Sequence, residues 1–172
     1  MLSFDLRSLE SKAVQVDDYL GPDDPVWEEE DPRPAAPLHV TGRLSSAGAG
    51  RFYWHGRIVG DAAAECRRCL VDVAASVTDE THVIFAESDD VSSEDPDVVQ
   101  IDSRQHELDL RPVVREQWLL AAPAYSLCRD DCKGLCPRCG SDLNRDDCGC
   151  AERASDPRWD ALGRINATDK QG

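Results

Sequence analysis

Alternating apolar and polar positions predict several β-strands in the first half of the chain. One apolar face recurs at every second residue across 38–44, and a second strand, dense in aromatic residues, is predicted at 51–59. The longest alternation runs through 71–85, where we expect one long strand that bends or bulges near 78–80. A weaker alternation predicts a short first strand at 4–9.

A single helical stripe follows these strands. Its apolar positions recur at helical spacing from Leu110 to Ala121. Asp109 is placed to cap the N-terminus, Pro112 is tolerated in the first turn, and Pro123 ends the helix. The order of strands, helix and cysteines predicts an α+β fold: a small antiparallel β-sheet with one packed helix and a C-terminal cysteine-rich zinc-knuckle segment.

Two acidic segments contain too few apolar residues to pack, and we predict that they are mobile. They lie at 22–37, where proline is frequent, and at 87–97. We expect one sheet-and-helix domain over 1–127 and a cysteine-rich zinc-binding segment with its tail over 128–172. At 172 residues the chain can bury one modest core.

The chain is strongly acidic, with a net charge of −15. This charge argues against a protein that coats nucleic acid and favours basic partners such as ribosomal proteins. There is no apolar run long enough to span a membrane and no signal-peptide pattern at the start, so we expect a cytoplasmic protein. There is no HExxH, GxSxG or phosphate-binding glycine loop, so we predict no enzyme activity and no small-molecule substrate.

The cysteines indicate metal binding. In the pairs Cys66/Cys69 and Cys136/Cys139, a C-x2-C turn can direct two thiolates at one tetrahedral ion. In a reducing cytosol such clusters indicate metal ligands before disulfides, and the spacings differ from those of ferredoxins. We therefore predict two structural Zn²⁺ ions. Their ligands would be all eight cysteines: Cys66, Cys69, Cys128, Cys132, Cys136, Cys139, Cys148 and Cys150.

The spacing leaves two ways to divide these ligands. The Cys136 pair can close a local site with the last two cysteines, so that the Cys66 pair uses the two cysteines just beyond the helix. Alternatively, both C-x2-C pairs share one ion, as in zinc ribbons, and the other four cysteines hold the second. A different interpretation makes the chain a redox or metal-sensing protein, since two arginines between Cys66 and Cys69 would lower a thiol pKa.

Basic and aromatic residues alternate in the second predicted strand. Single-stranded RNA is recognised by such pairs, with guanidinium groups on phosphates and rings on bases. The alternative is that Phe52 and Trp54 face the core while the arginines are merely solvated on the outer face. The candidate contacts for RNA or another partner are Arg51, Tyr53, His55, Arg57, Arg67 and Arg68.

Several motifs occur in a fixed order along nearly the whole chain. They are Asp5-Leu-Arg-Ser-Leu9, Glu65-Cys66-Arg-Arg-Cys69-Leu70, Glu116-Gln-Trp-Leu-Leu120, the run Cys128-x3-Cys132-Lys-Gly-Leu-Cys136-Pro-x-Cys139-Gly140, Asp142-Leu-Asn144, Cys148-x-Cys150 and Asp156-Pro-Arg158. In this combination the chain resembles the YceD family, bacterial proteins linked to accumulation of large-subunit ribosomal RNA. It departs from the family pattern at Ala122 and Ser126 and in a long acidic insert, none of which involves a cysteine.

The resemblance implies a non-enzymatic role in synthesis, processing or stability of large-subunit ribosomal RNA. It implies ribosomal RNA or basic large-subunit ribosomal proteins as partners. Some family members lack the C-terminal cysteines, which implies that this cluster stabilises the protein rather than performing the shared function.

Overall fold

A computed structural model describes residues 1–48, 50–87, 98–102, 104–150 and 158. Within these residues the chain is mostly β-sheet with few helices, which confirms the α+β prediction in outline. The elements are β1 (Ser3–Asp5), α1 (Leu6–Ser11), β2 (Val14–Leu20), β3 (Leu38–Gly48), β4 (Arg51–Glu65), β5 (Asp72–Glu87), β6 (Val98–Ile101), β7 (Glu107–Asp109) and α2 (Arg111–Ala121).

Five of the described strands form the main sheet, in the order β2-β3-β4-β5-β6. The first four pair antiparallel, whereas β6 pairs parallel to β5, so the sheet is mixed rather than purely antiparallel as predicted. β1 and β7 form a separate two-stranded sheet. The long β4–β5 hairpin positions most of the residues discussed below.

The predicted irregularity at 78–80 is wrong. β5 pairs with β4 in one register from Asp72 to Ala86, and the described pairing shifts instead in β3, between Ser46 and Gly48. Asp79 interrupts the apolar positions of the sequence pattern but not the strand, because it keeps its pairing with Ile58. The shift in β3 is accommodated by Gly48, whose φ of 85° is permissible without a Cβ.

The core lies on one face of the main sheet, against both described helices. α1 packs on β3 and α2 packs on β5. The largest fully buried side chains are Trp54, Trp118, Phe52, Phe85, Leu9, Leu20, Leu38, Leu44, Ile58, Leu108, Leu110 and Val40. Phe52 and Trp54 thus face the core, as the structural interpretation of the aromatic strand proposed.

A pair of glycines lets the Trp54 indole lie close to the sheet. Gly42 of β3 pairs with Gly56 of β4. A Cβ at Gly56 would stand 2.2 Å from the Trp54 ring, and one at Gly42 would stand 2.4 Å from the His55 carbonyl oxygen. Both positions therefore require glycine, and this packing places the solvent-facing residues of β4 next to those of β3.

Two local predictions at helix ends need correction. Of the predicted strand at 4–9, only residues 4 and 5 are extended, as the end of β1 (Ser3–Asp5). Asp5 then caps α1 by accepting a hydrogen bond from the Ser8 N–H at 2.8 Å. Asp109 does not cap α2, which has Leu110 at the N-cap position and no side-chain cap. The Asp109 carboxylate instead accepts hydrogen bonds from the backbone and guanidinium of Arg111.

The acidic segment 22–37 is packed against the fold, which corrects the prediction of a mobile arm. Trp27 is buried, and its indole N–H donates to the Gly21 carbonyl at 2.8 Å. Asp31 accepts two hydrogen bonds from the Arg115 guanidinium, at 2.6 and 2.9 Å. The segment's charges therefore serve to fasten it onto α2.

The same segment also contacts α2 and β4 through two prolines. The indole N–H of the fully buried Trp118 donates to the Pro32 carbonyl at 2.7 Å, and the buried Pro34 bridges to Ala62 of β4. Segment 22–37, which we call the strap, therefore contacts both α2 and the main sheet, although its sequence contains only scattered apolar residues.

The second predicted mobile segment, 87–97, begins at Glu87, the last residue of β5. Its other residues lie outside the part of the chain that the structure describes, as does most of the tail beyond Cys150. The division of the chain at residue 127 stays a prediction.

Candidate metal sites and the open sheet face

All eight cysteines are free and converge in two groups of four. The anchored site comprises Cys66, Cys69, Cys128 and Cys132, and the loop site comprises Cys136, Cys139, Cys148 and Cys150. The sulfur atoms of each group lie within 4.8 Å of one another. Of the two divisions that the spacing allows, the structure has the one with a local C-terminal site.

The anchored site joins two distant parts of the chain. Cys66 follows directly on β4 and is fully buried, and Cys69 lies in the turn towards β5. Cys128 and Cys132 come from the segment beyond α2. The Sγ atoms of Cys66 and Cys132 are 3.8 Å apart, and those of Cys69 and Cys128 are 3.6 Å apart.

These sulfur separations fit a tetrahedral metal ion. Four thiolates at the usual Zn–S distance of about 2.3 Å stand about 3.8 Å from each other, whereas a disulfide needs about 2.05 Å. A set of four cysteine sulfurs suits zinc or an iron–sulfur cluster rather than a hard cation. The residues present therefore fit a bound metal in both sites.

Both knuckles close with the same turn. The N–H of Leu70 donates to the Cys66 carbonyl at 2.8 Å, and the N–H of Gly140 donates to the Cys136 carbonyl at 2.9 Å. The residue after the second cysteine is left-handed in each case, with φ of 59° at Leu70 and 76° at Gly140. Glycine adopts this conformation freely, whereas leucine pays about 1–2 kcal/mol of steric strain.

Burial and hydrogen bonds shift two thiol pKa values of the anchored site in opposite directions. Burial acts to raise the pKa of Cys66, but the backbone N–H groups of Cys128, Cys69 and Arg68 outweigh it and lower the pKa to about 6. Burial and then the neighbouring thiols of Cys132, Cys69 and Cys66 raise the pKa of Cys128 to about 12. The thiols of Cys66 and Cys128 therefore differ in how readily they lose a proton, and a bound cation would favour the thiolate form of both.

The loop site shows the same division. The hydroxyl and backbone N–H of Ser141 lower the pKa of Cys139 to about 6. The thiols of Cys139 and Cys148 raise the pKa of Cys150 to about 12. Thiolates at this spacing repel each other, and a metal ion bound in the loop site would offset that repulsion.

Arg67 and Arg68 brace the anchored site. The Arg67 guanidinium donates twice to the Ala124 carbonyl, at 3.1 and 2.9 Å. Arg68 donates to the carbonyls of Cys132, at 2.8 Å, and Asp130, at 3.2 Å. These two candidate RNA contacts therefore fix the segment beyond α2 to the Cys66 turn and lie beyond the end of β4.

The other four candidates lie together on the solvent side of β4. We call the side of the main sheet that carries Arg51, Tyr53, His55 and Arg57 the open face, since their side chains are partly or fully exposed. They alternate with the buried face of the strand, as period-two spacing requires. Arg51 also takes part in an interaction within the fold.

Residues of β5 extend this group into a row of stacked rings. His55 stacks on His82 with ring centres 4.3 Å apart, and the Tyr53 hydroxyl is hydrogen-bonded to Nδ1 of His82 at 2.6 Å. Nε2 of His55 is 3.1 Å from a carboxylate oxygen of Glu80. Sequence reasoning missed His82 and Glu80, because only the β4–β5 register places them opposite His55 and Arg57.

A shallow depression of about 260 Å³ lies beside this row. It is lined by Gln15, Thr41, Arg43, His55, Arg57 and Glu80, among others. The open face thus offers guanidinium groups, amide and hydroxyl groups, and exposed aromatic rings side by side.

Neither helix among the described residues is long and apolar enough to cross a membrane.

Residues 54–166 match the model of the family described as large ribosomal RNA subunit accumulation protein YceD. This range covers more than half of the chain and contains all eight cysteines. No solved structure matches the chain.

Similar proteins occur in several bacteria and in a plant. Uncharacterized proteins of Mycobacterium tuberculosis and Mycobacterium bovis are 32% identical over 108 residues, covering 62% of this chain and 52% of theirs. The uncharacterized protein YlbN of Bacillus subtilis is 25% identical over 174 residues, covering 98% of this chain and 96% of its own.

A chloroplastic protein of Arabidopsis thaliana, named large ribosomal RNA subunit accumulation protein YCED homolog 1, is 29% identical over 76 residues, or 44% of this chain and 22% of its own. The chain spans about half the length of the mycobacterial relatives that it matches.

Proposed function

The chain belongs to the YceD family, and on that premise we propose that it acts as a non-enzymatic factor in the synthesis, processing or stability of large-subunit ribosomal RNA. The observation that carries this proposal is the family match over residues 54–166, which includes β4 from Trp54 onward, β5, α2 and both groups of cysteines. The printed name of the Arabidopsis relative supports the same role.

We propose that each group of cysteines holds one structural Zn²⁺. What supports this is the set of four sulfur atoms within 4.8 Å of one another in each group, with separations of 3.8 and 3.6 Å in the anchored site. A closed site of four thiolates leaves no open coordination position for chemistry, so the metal would contribute folding free energy, about 10 kcal/mol. In the anchored site that stabilisation would tie the end of β4 to the chain beyond α2.

We propose that the open face contacts ribosomal RNA through Arg51, Tyr53, His55 and Arg57. The support is their common side of β4, with Arg43 of β3 next to His55. Guanidinium groups bind phosphates, and exposed rings stack on bases. The remaining surface is acidic, since the chain carries −15 overall, and such a surface favours basic ribosomal proteins of the large subunit as further partners.

The alternative, a cysteine-based redox or metal-sensing protein, has less support. A thioredoxin-like pair opens a helix, whereas Cys66 and Cys69 lie in a turn between β4 and β5. Cys66 is also fully buried, away from a redox partner.

A complementation experiment tests the proposed role. In cells that lack the protein, we expect a lower ratio of large-subunit to small-subunit ribosomal RNA, restored by the wild-type chain. Arg57→Glu, on the open face, should fail to restore the ratio. Arg7→Glu, the same charge change on an exposed residue of α1, should restore it fully. An unchanged ratio in the deletion strain would refute the proposed role, and rescue by Arg57→Glu would refute the proposed surface.

A further inference from the structure

Asn144 belongs to the loop that the loop site closes, yet its side chain reaches the other site. It lies between Cys139 and Cys148, and its Nδ2 donates a hydrogen bond to Sγ of Cys132 at 3.4 Å. Cys132 is a buried member of the anchored site. The Asn144 side chain therefore links the loop between the cysteines of the loop site directly to a cysteine of the anchored site.

The orientation of the Asn144 amide is fixed by its oxygen. Oδ1 accepts a hydrogen bond from the Lys133 backbone N–H at 2.8 Å and another from the Arg129 guanidinium at 2.7 Å. A rotated amide would point its N–H₂ group at these two donors. The amide nitrogen must therefore face Cys132 and Asp142, whose Oδ1 accepts its second hydrogen at 2.7 Å.

The loop site holds this amide in place. The Cys136 N–H donates to the Ser141 carbonyl at 2.8 Å, and the Leu143 N–H donates to the Gly134 carbonyl at 2.9 Å. The Asn144 N–H is bound to the Asp142 carboxylate at 2.9 Å. These contacts form the turn between the two halves of the loop site, so a metal that draws Cys139 and Cys148 together also closes the turn.

An N–H group that donates to a metal-bound thiolate stabilises its negative charge and orients the sulfur. Loss of such a contact outside the ligand set typically lowers metal affinity by about 10- to 100-fold. The loop site therefore contributes to the anchored site without supplying a ligand to it.

We propose that Asn144 is a positioning residue that couples the two metal sites: filling the loop site presents its amide to Cys132 and raises the metal affinity of the anchored site. Because binding free energies are linked, filling the anchored site raises the affinity of the loop site by the same factor. This inference rests on the proposed metal content of both sites and not on the proposed role in ribosomal RNA accumulation.

An exchange of two side chains tests the contact while keeping the turn. The double variant Asp142→Asn, Asn144→Asp retains an acid–amide pair, and the carboxylate at 144 still accepts from Lys133 and Arg129, but no N–H faces Cys132. Asp142→Asn alone is the matched control, because it leaves the amide of Asn144 in place.

Two readouts follow the sites separately in the full-length chain. Competition with a chromophoric chelator gives the Zn²⁺ affinities, and ¹¹³Cd NMR gives a resonance for each site after exchange with Cd²⁺. We expect the double variant to lose about 10- to 100-fold in anchored-site affinity and to shift the anchored-site resonance, whereas the control keeps both.

The coupling has its own readout. Cys148→Ser with Cys150→Ser removes the loop site. In the wild-type background, this removal should lower the affinity of the anchored site by a similar factor. In the double variant, it should lower the affinity of the anchored site little further. Wild-type affinity and an unshifted resonance in the double variant would overturn the proposal. So would a removal of the loop site that weakens the anchored site as much in the double variant as in the wild type. A wild-type chain that binds no Zn²⁺ would overturn the proposed metal content and this coupling with it.

Discussion

Replacing Trp27 by alanine should destabilise the protein strongly, although Trp27 lies in a segment whose composition predicts a mobile arm. In the structure its side chain is 5% exposed and belongs to the main core. Its indole N–H donates to the Gly21 carbonyl at 2.8 Å. The substitution would remove the packing of Trp27 in the core and its hydrogen bond to Gly21, the residue that follows β2.

The expected cost follows from these two contacts. Truncating a buried tryptophan to alanine costs about 3–5 kcal/mol through lost burial and the cavity that remains. Trp27→Phe keeps most of the apolar contact and should cost about 1–2 kcal/mol. The Gly21 carbonyl would still accept from the Asp24 N–H at 3.2 Å, so the variant leaves no orphaned acceptor and loses one ordinary hydrogen bond of about 1 kcal/mol.

Equilibrium unfolding in urea, followed by far-ultraviolet circular dichroism, measures these changes. Free Zn²⁺ must be held constant, because a ligand that binds the folded state adds stability by mass action. Glu29→Ala, an exposed change in the same segment, is the matched control and should stay within about 0.5 kcal/mol of wild type. If Trp27→Ala cost less than about 1 kcal/mol, segment 22–37 would be a mobile arm after all.

Three further predictions concern backbone strain, acid stability and metal removal. Leu70→Gly should leave the free energy of unfolding unchanged or raise it by up to about 1 kcal/mol, since it relieves a left-handed leucine that is 60% exposed. Gly140→Leu should lower the free energy of unfolding by about 1–2 kcal/mol, and urea unfolding of both variants measures the two changes. The hydrogen bond from Arg115 lowers the pKa of Asp31, so the contribution of Asp31 to stability is present above the unfolded pKa of about 3.9 and disappears as pH falls through the folded pKa. Asp31→Asn should therefore reduce the loss of melting temperature at acid pH, and an unchanged loss would contradict the pairing. Chelation should convert unreactive thiols into eight that react with a thiol reagent, and full reactivity before chelation would argue against bound metal.

The strand faces could be predicted because they follow from local periodicity. The residues of 38–44 and 71–85 needed only an alternation that the pleat imposes. The strap could not be predicted, because its order depends on partners far along the chain: Asp31 and Arg115 are 84 residues apart. A local surplus of acidic residues indicates disorder only when no basic residue elsewhere in the fold pairs with them.

The candidate sites divide in the same way. C-x2-C spacing identifies cysteine pairs, because the knuckle turn is local, but it does not say which pairs meet. That depends on the turn after β4 approaching the chain beyond α2, where Arg67 and Arg68 hold it. His82 gave no signal in the sequence, since its position opposite His55 needs the β4–β5 register. Asn144 belongs to the Asp142-Leu-Asn144 motif, but its contact with Cys132 depends on the two groups of cysteines lying side by side in the fold.

The number of Zn²⁺ ions that survive paired cysteine substitutions tests the arrangement of the metal sites most directly. After dialysis against a competing chelator, native mass spectrometry of the full-length chain should show two ions in the wild type. Cys66→Ser with Cys132→Ser damages one site and should leave one ion, whereas Cys66→Ser with Cys136→Ser damages both and should leave none. The reverse result, no ion in the first variant and one in the second, would mean that both C-x2-C pairs share one ion, and it would contradict the two sites described above.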